Sequence, residues 1–263
     1  MFTYRNAFAL VTGASMGLGE AFAEALAARG ANLVLVARSL DTLNALAKRL
    51  TEQHGVQVIV LAVDLAERNA ATRISDELER QHIAVDLLVN NAGFGLTGEF
   101  LANPLAREED LVQVNIQALM GLSHQLGTAM VARKKGGIIN VASNASFQPI
   151  PYMATYAASK AFVLHFSEAL GYELSRHNVQ VLATCPGPTS TRFFAATSAD
   201  QPDIKMDTTE VVVRRTLEAF DREEKVVYPG RSSVRITSWL PRFISRSLAV
   251  RAAAAASRGM GLH

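Results

Sequence analysis

Short β-branched or aliphatic runs alternate along the chain with longer alanine- and leucine-rich segments of helical period, a pattern that predicts an α/β fold. The expected architecture is a doubly wound sheet of about seven mostly parallel strands with helices on both faces. Glycines at 13, 17 and 19 agree with it, because they sit where the first strand passes into the first helix. Composition agrees as well. With 263 residues, 49% apolar and 19% charged, and a net charge of +2, the chain has material for one large core and is neither disordered nor collagen-like. Its length allows two domains, but α/β folds of roughly 200 to 250 residues are often single. No Gly/Ser/Pro-rich linker or internal repeat divides it. One domain over residues 1–230 is expected, followed by an extension over residues 231–263.

Strands are expected at 7–11, 32–36, 57–62, 87–90, 137–141, 179–184 and 226–228, each a short run dominated by Val, Ile, Leu or Ala. Helices are expected at about 17–29, 39–54, 67–82, 105–132, 153–177 and 208–221, where apolar residues recur at helical spacing. Residues 186–207 carry no clear element and exceed the roughly 12 to 15 residues usual for a structureless loop, a length common in lids and binding loops. The single cysteine, Cys185, forms no intrachain disulfide and reads as a small core residue, in keeping with a reducing compartment. Residues 1–5 leave no room for a signal peptide before the first strand, and no apolar run reaches the roughly 18 residues of a spanning helix. A soluble, cytoplasmic protein is expected.

Charge is unevenly placed. From Arg231 onward there are six arginines, no lysine and no carboxylate, whereas residues 1–230 carry 20 basic and 24 acidic groups. Within the tail, Trp239, Leu240, Phe243, Ile244 and Leu248 recur beside Arg242, Arg246 and Arg251, which suits a basic amphipathic helix. Packing against the body or another subunit is one expected role, and weak peripheral contact with an anionic membrane is the other. The near-neutral total charge and the lack of a recognised motif argue against nucleic-acid binding. Histidines at 54, 82, 124, 165, 177 and 263 are scattered and, with one cysteine, form no metal-ligand set.

The run Thr12-Gly13-Ala14-Ser15-Met16-Gly17-Leu18-Gly19 follows the first strand and precedes helical Glu20 to Glu24. Glycine at 13 permits a sharp turn. Glycines at 17 and 19 let a pyrophosphate and the sheet approach the helix start, where unpaired N–H groups favour an anion. The spacing is GxxxGxG rather than GxGxxG. With the chain's length, it resembles the short-chain dehydrogenase/reductase family, whose cofactor motif is TGxxxGxG, and the resemblance extends over roughly residues 7–191.

The resemblance implies a Rossmann-like fold and a nicotinamide dinucleotide held by Gly13, Ser15, Gly17, Leu18 and Gly19. The second strand ends in Ala37-Arg38-Ser39, with no carboxylate to receive a ribose 2′-hydroxyl. A guanidinium at Arg38 suits a 2′-phosphate and would favour it by about ten- to a hundredfold, so the expected cofactor is NADP(H). Otherwise Arg38 is a solvated strand end. Asp64 reads as a helix N-cap, and the resemblance adds contact with the adenine edge. Asn90-Asn91-Ala92-Gly93 resembles the family's NNAG segment, which puts Asn90, Ala92 and Gly93 in the cofactor's surroundings, while asparagine amides can also tie adjacent strands. Pro186-Gly187-Pro188-Thr189-Ser190-Thr191 resembles PGxxxT. This implies that Pro186, Gly187 and Thr191, with Thr189 as second choice, meet the nicotinamide carboxamide.

Tyr156 and Lys160 stand four residues apart in an expected helix, so phenol and ammonium share a face. An unperturbed tyrosine has a pKa near 10, and working near neutrality needs a shift of about three units, roughly 4 kcal/mol, from a nearby cation. Lys160, helped by an oxidised nicotinamide, suits that task, although YxxxK by itself is common on exposed helices. Ser143 follows the strand 137–141, at a strand's C-terminal end where open α/β sheets bind ligands. The resemblance makes it the catalytic serine, with Ser146 a rival, and makes Asn115 the asparagine that holds a water-linked proton path to the lysine. Without that context Asn115 reads as a buried helix asparagine.

The implied reaction is hydride transfer between the nicotinamide C4 and the carbonyl carbon of a small-molecule ketone or its secondary alcohol. Ser143 donates to the carbonyl oxygen, Tyr156 delivers the proton, and Lys160 binds the nicotinamide ribose. No metal is required. Expected pocket walls are Phe94, Gly95, Leu96, residues 148–153, and Phe193 and Phe194, mostly apolar and suited to a hydrophobic, β-ketoacyl or steroid-like substrate. An alternative is an inactive dinucleotide-binding regulator of the same fold, which would not need Ser143, Tyr156 and Lys160 together. Epimerase or dehydratase chemistry is disfavoured, because those relatives usually carry a larger C-terminal domain. The long helices at 105–132 and 153–177 resemble the surfaces through which the family forms homodimers or homotetramers.

Overall fold

The computed structural model describes residues 2–191 and 206–259. Seven strands, β1 (Phe8–Thr12), β2 (Asn32–Ala37), β3 (Val58–Ala62), β4 (Val85–Asn90), β5 (Gly136–Val141), β6 (Val179–Thr184) and β7 (Val226–Val227), form one sheet in the order β3-β2-β1-β4-β5-β6-β7. Every neighbouring pair is parallel. Near-continuous apolar strands form such a sheet because helices must cover both of its faces. Alternate residues divide between two layers. Val11, Leu33, Leu35, Val89, Ile139 and Leu182 pack with α1 (Gly17–Ala28), α2 (Leu40–His54) and α7 (Thr209–Asp221). Leu10, Val34, Val36, Leu88, Ile138 and Val181 pack with α3 (Ala70–Arg80), α5 (Leu119–Arg133) and α6 (Ala154–Ser175). The chain reverses its direction of travel across the sheet between β1 and β4. That reversal opens a crevice at the strands' C-terminal ends.

Several helices differ from the expected ones. The helix expected at 67–82 begins only at Ala70, because Asp64 accepts from the Ala66 N–H at 3.0 Å and residues 64–69 turn first. The helix expected at 105–132 is three pieces: α4 (Leu105–Val112), a π-helical turn over Gln113–Ala118, and α5. Short 3-10 turns at Phe100–Ala102 and Asn144–Phe147 escape any periodicity. The extension is α8 (Ser232–Trp239), a 3-10 turn (Leu240–Phe243) and α9 (Arg246–Gly259). α8 packs beside the Asn144–Phe147 turn, and α9 buries Ala249, Ala253 and Ser257, which recur every four residues. No helix among the described residues is long and apolar enough to cross a membrane.

Phe220 of α7 is fully buried, its ring 5.6 Å from that of Phe2, and it fills the space over Gly137, where an added Cβ would lie 2.4 Å from Phe220 Cζ. Phe220→Ala should therefore lower unfolding stability by about 3 to 5 kcal/mol in urea denaturation. A loss below about 1 kcal/mol would contradict this packing.

Candidate active site

Two glycines of the loop after β1 adopt left-handed backbone, Gly13 at φ +65° and Gly17 at φ +60°. Gly19 has a different reason: a Cβ there would lie 2.1 Å from the Gly13 carbonyl oxygen and 2.6 Å from Asn91 Nδ2. Met16, the N-cap of α1, gives no side-chain cap, so the first-turn N–H groups at Gly17, Leu18 and Gly19 lack intrahelical partners. Ser15 lies in the same turn. At the end of β2, Arg38 is exposed and pairs with no carboxylate among the described residues. Asp64, just past β3, holds a turn rather than the helix start expected of it.

Thr12 and Asn91 were not singled out by the sequence, yet they latch the ends of β1 and β4 together. Thr12 Oγ1 accepts from the Asn91 and Ala92 N–H groups, both at 3.0 Å, and Asn91 Nδ2 donates to the Thr12 carbonyl at 2.9 Å. Their signal was adjacency, since each neighbours a glycine-containing motif. Asn90 faces the other way. It is buried, and its Nδ2 donates to Ser123 Oγ at 3.0 Å and Asn140 Oδ1 at 2.9 Å, making its side chain a strand tie. Ala92 is half-buried and Gly93 exposed at the mouth of the crevice. Across from them, the Pro186 carbonyl accepts from the Asn144 N–H at 2.8 Å. Thr189 is buried and donates to the Gly187 carbonyl at 2.9 Å. Thr191 lies against the glycine loop, its Cγ2 3.2 Å from where a Cβ on Gly17 would stand.

Ser143 is the N-cap of the Asn144–Phe147 turn. Its Oγ accepts from the Ala145 N–H at 3.1 Å and donates to Asn144 Oδ1 at 3.3 Å, and it lies near enough to the Tyr156 phenol to lower its pKa. Ser146, the rival hydroxyl, is buried and donates to the Lys160 backbone carbonyl at 2.7 Å. That contact leaves Ser143 as the hydroxyl at the phenol. Lys160 Nζ donates to the Val141 carbonyl at 2.7 Å and stands 5.9 Å from the Tyr156 ring centroid. Among the described residues its other two N–H donors have no acceptor. A Cβ on Gly93 would come within 3.3 Å of Nζ and 3.0 Å of Asn115 Oδ1, so the bare glycine keeps that space open.

Asn115 sits in the π-helical turn, a widening that recurs at functional sites. Its Oδ1 accepts from the Phe94 N–H at 3.1 Å, and its Nδ2 donates to the Phe94 carbonyl and to Ser159 Oγ, both at 3.0 Å. Ser159 in turn donates to the Tyr156 carbonyl at 2.7 Å. Asn115 thus joins the segment after β4 to the turn of α6 that carries Tyr156.

Burial raises the Tyr156 pKa above the ordinary tyrosine value, and the hydrogen bond from Ser143 only opposes it. Burial lowers Lys160 to about 8. The acidified phenol expected from the Tyr156–Lys160 spacing is therefore not produced by the protein's own groups. Desolvation outweighs the Ser143 hydroxyl, and the Lys160 ammonium is turned toward Val141. Cys185 is fully buried and its thiol is pushed up to about 12 by burial, in line with a core role.

A mostly apolar cavity of about 680 Å³ runs along α6, between Gln148, Ile150 and Ala161 on one side and Arg246 and Ala249 of α9 on the other. Of the expected pocket walls, Gln148 to Pro151 line it and Phe94, Gly95 and Leu96 do not. Phe193 and Phe194 lie outside the described residues.

Residues 7–202 match the family model described as short chain dehydrogenase. A very-long-chain 3-oxoacyl-CoA reductase of Phaeosphaeria nodorum is 32% identical over 98% of this chain and 77% of its own length. The inactive hydroxysteroid dehydrogenase-like protein 1 of Homo sapiens is 33% identical over 74% of this chain, which spans only 58% of that protein. A short-chain dehydrogenase from Sphingobium yanoikuyae, solved in complex with NADPH, superposes with a TM-score of 0.83 at 33% identity, covering 90% of this chain and 93% of the other.

Because burial holds Lys160 below its unfolded value of 10.5, the unfolded chain binds more protons between about pH 8 and 10.5 and the cost of the buried charge is fully present below that window. Lys160→Met should thus stabilise the free protein at pH 7 by about 2 kcal/mol, after allowing for the lost hydrogen bond to Val141. The gain should shrink as the pH rises toward 10.5. Thermal melts across that range check it, and a variant less stable than wild type at pH 7 would refute it.

Proposed function

The chain belongs to the short chain dehydrogenase family, and from that membership we propose that it is an NADP(H)-dependent oxidoreductase interconverting a hydrophobic ketone and its secondary alcohol. The main support is the Ser143 hydroxyl beside the Tyr156 phenol, with Lys160 one helical turn further along α6. The residues present fit a phosphorylated dinucleotide. Two glycines hold a left-handed turn, the start of α1 has no side-chain cap, and at the end of β2, where an NAD site would carry a carboxylate, stands a guanidinium that pairs with no carboxylate among the described residues. The relative solved with NADPH supports the same choice.

Gly13, Ser15, Gly17, Leu18 and Gly19 receive the pyrophosphate, Arg38 the 2′-phosphate and Asp64 the adenine edge. Ala92 and Gly93, with Pro186, Gly187 and Thr191 opposite, border the nicotinamide end. When bound, the reduced cofactor supplies the hydride. Ser143 donates to the substrate's carbonyl oxygen, and Tyr156, held protonated by its burial, delivers the proton to that oxygen. Lys160 offers its two free N–H donors to ribose hydroxyls, and Asn115 fixes the backbone on both sides of them. In the oxidative direction the phenol must ionise against its burial, which takes more positive charge beside it than Lys160 provides. The apolar residues around the crevice and the name of the fungal relative favour a large β-ketoacyl or steroid-like substrate.

A regulator that binds the dinucleotide without turnover is a second reading, favoured by the relative named as inactive. Turnover of a panel of bulky ketones with NADPH separates the two. Tyr156→Phe should retain NADPH binding and lose at least about a hundredfold in kcat. Wild-type turnover in that variant would overturn the assignment. Arg38→Asp should move the NADP/NAD preference by about ten- to a hundredfold toward NAD, read from the ratio of kcat/KM values. For ketone reduction, kcat/KM should fall as the pH rises through about 8, where Lys160 loses its charge.

A further inference from the structure

In α8 and the turn after it, Ile236, Trp239, Leu240 and Phe243 follow the spacing i, i+3, i+4, i+7 and are all exposed, Ile236 by 67% and Phe243 by 77%. Leu248 and Val250 at the start of α9 are exposed as well. Arginines flank this row. Seven body arginines, Arg29, Arg49, Arg73, Arg80, Arg107, Arg214 and Arg222, pair with carboxylates, as does Arg231 with Asp207. Among the described residues, Arg235, Arg246, Arg251 and Arg258 pair with none, and residues 231–263 contain no carboxylate at all. An apolar stripe bordered by free guanidinium groups has the chemistry of the interface between anionic headgroups and acyl chains.

From this juxtaposition we infer that α8, the Leu240–Phe243 turn and the start of α9 dock on an anionic lipid bilayer without crossing it. Charge selects this occupant over a second copy of the chain. A two-fold contact of the patch with itself would set one group of unpaired arginines against another. The placement has a further meaning, because α8 packs beside the 3-10 turn that Ser143 caps. Arg231, at the start of α8, donates through its N–H to the Asp207 carboxylate at 3.2 Å, and the Asp207 N–H donates to the Pro188 carbonyl at 2.9 Å. Docking would therefore set the crevice close to the bilayer surface, where an apolar ketone accumulates.

Trp239 is the only tryptophan in the chain, so its fluorescence reports on the patch directly. Full-length protein is titrated with vesicles of phosphatidylcholine containing about a third phosphatidylserine, and with pure phosphatidylcholine vesicles. The expected result is a blue shift and co-sedimentation with the anionic vesicles, at least about tenfold weaker with the neutral ones or in high salt. Arg235→Gln with Arg251→Gln should weaken binding by about 25-fold, each arginine contributing about fivefold, and Phe243→Ser should weaken it by about tenfold. These side chains are exposed, so the variants should keep wild-type melting temperatures and cofactor affinity. Equal affinity for neutral vesicles, or no shift of Trp239 with anionic ones, would overturn the inference. So would a Phe243→Ser variant that changes oligomeric state in sedimentation velocity while vesicle binding stays the same, since the patch would then cover another copy of the chain.

Discussion

The buried ammonium of Lys160 is the constraint around which the crevice is built. It is 5% exposed, has one acceptor among the described residues in the Val141 carbonyl, and is held near pKa 8 by desolvation. A group with three donors and one acceptor is a poor choice for a core. Gly93 leaves the space beside it open, and the Asn115 carboxamide bounds that space from the other side. The fold thus carries a local instability at the place where a polyhydroxylated ligand can relieve it, the usual trade between stability and function.

What keeps that ammonium in register is a set of polar ties at the strand ends. Thr12 and Asn91 hold β1 to β4, Asn90 and Asn140 hold β4 to β5, and Asn140 continues to Ser167 on α6 at 2.9 Å. Each is an amide or hydroxyl satisfied by the neighbouring element, through its backbone for Thr12 and Asn91 and through side chains for Asn90 and Asn140, so each ties two elements at a fixed spacing. Asn115, within the π-helical turn, extends the set to the loop after β4. Tyr156 and Ser143 are then placed by elements whose ends cannot slide.

The parallel sheet was legible because its strands are apolar on both faces and its helices alternate with them, so β1 to β7 fall within about two residues of their expected places. The same periodicity could not show the π-helical turn, because the side chains of residues 113–118 keep a helical pattern while the backbone widens. It also overran the start of α3, where the Asp64 side chain holds a local turn that no hydrophobic spacing reports. At the site, spacing was enough to bring Ser143, Tyr156 and Lys160 together in thought, but not to give the sign of the tyrosine's perturbation. That sign depends on burial, and the same four-residue spacing on an exposed helix would have given the opposite result. Thr12 and Asn91 carry no spacing signal because their contacts are made to backbone atoms distant in sequence.

Burial holds the Tyr156 phenol above the ordinary tyrosine range in the protein alone, so a cation must join the crevice before it can ionise near neutrality. The direct measurement is a ¹³C NMR titration of protein labelled at tyrosine Cζ, with the Tyr156 signal identified by its loss in Tyr156→Phe. The predicted result is no ionisation below pH 10 in the free protein or with NADPH, and a downward shift on adding NADP⁺. Ionisation near neutrality in the free protein would contradict the account.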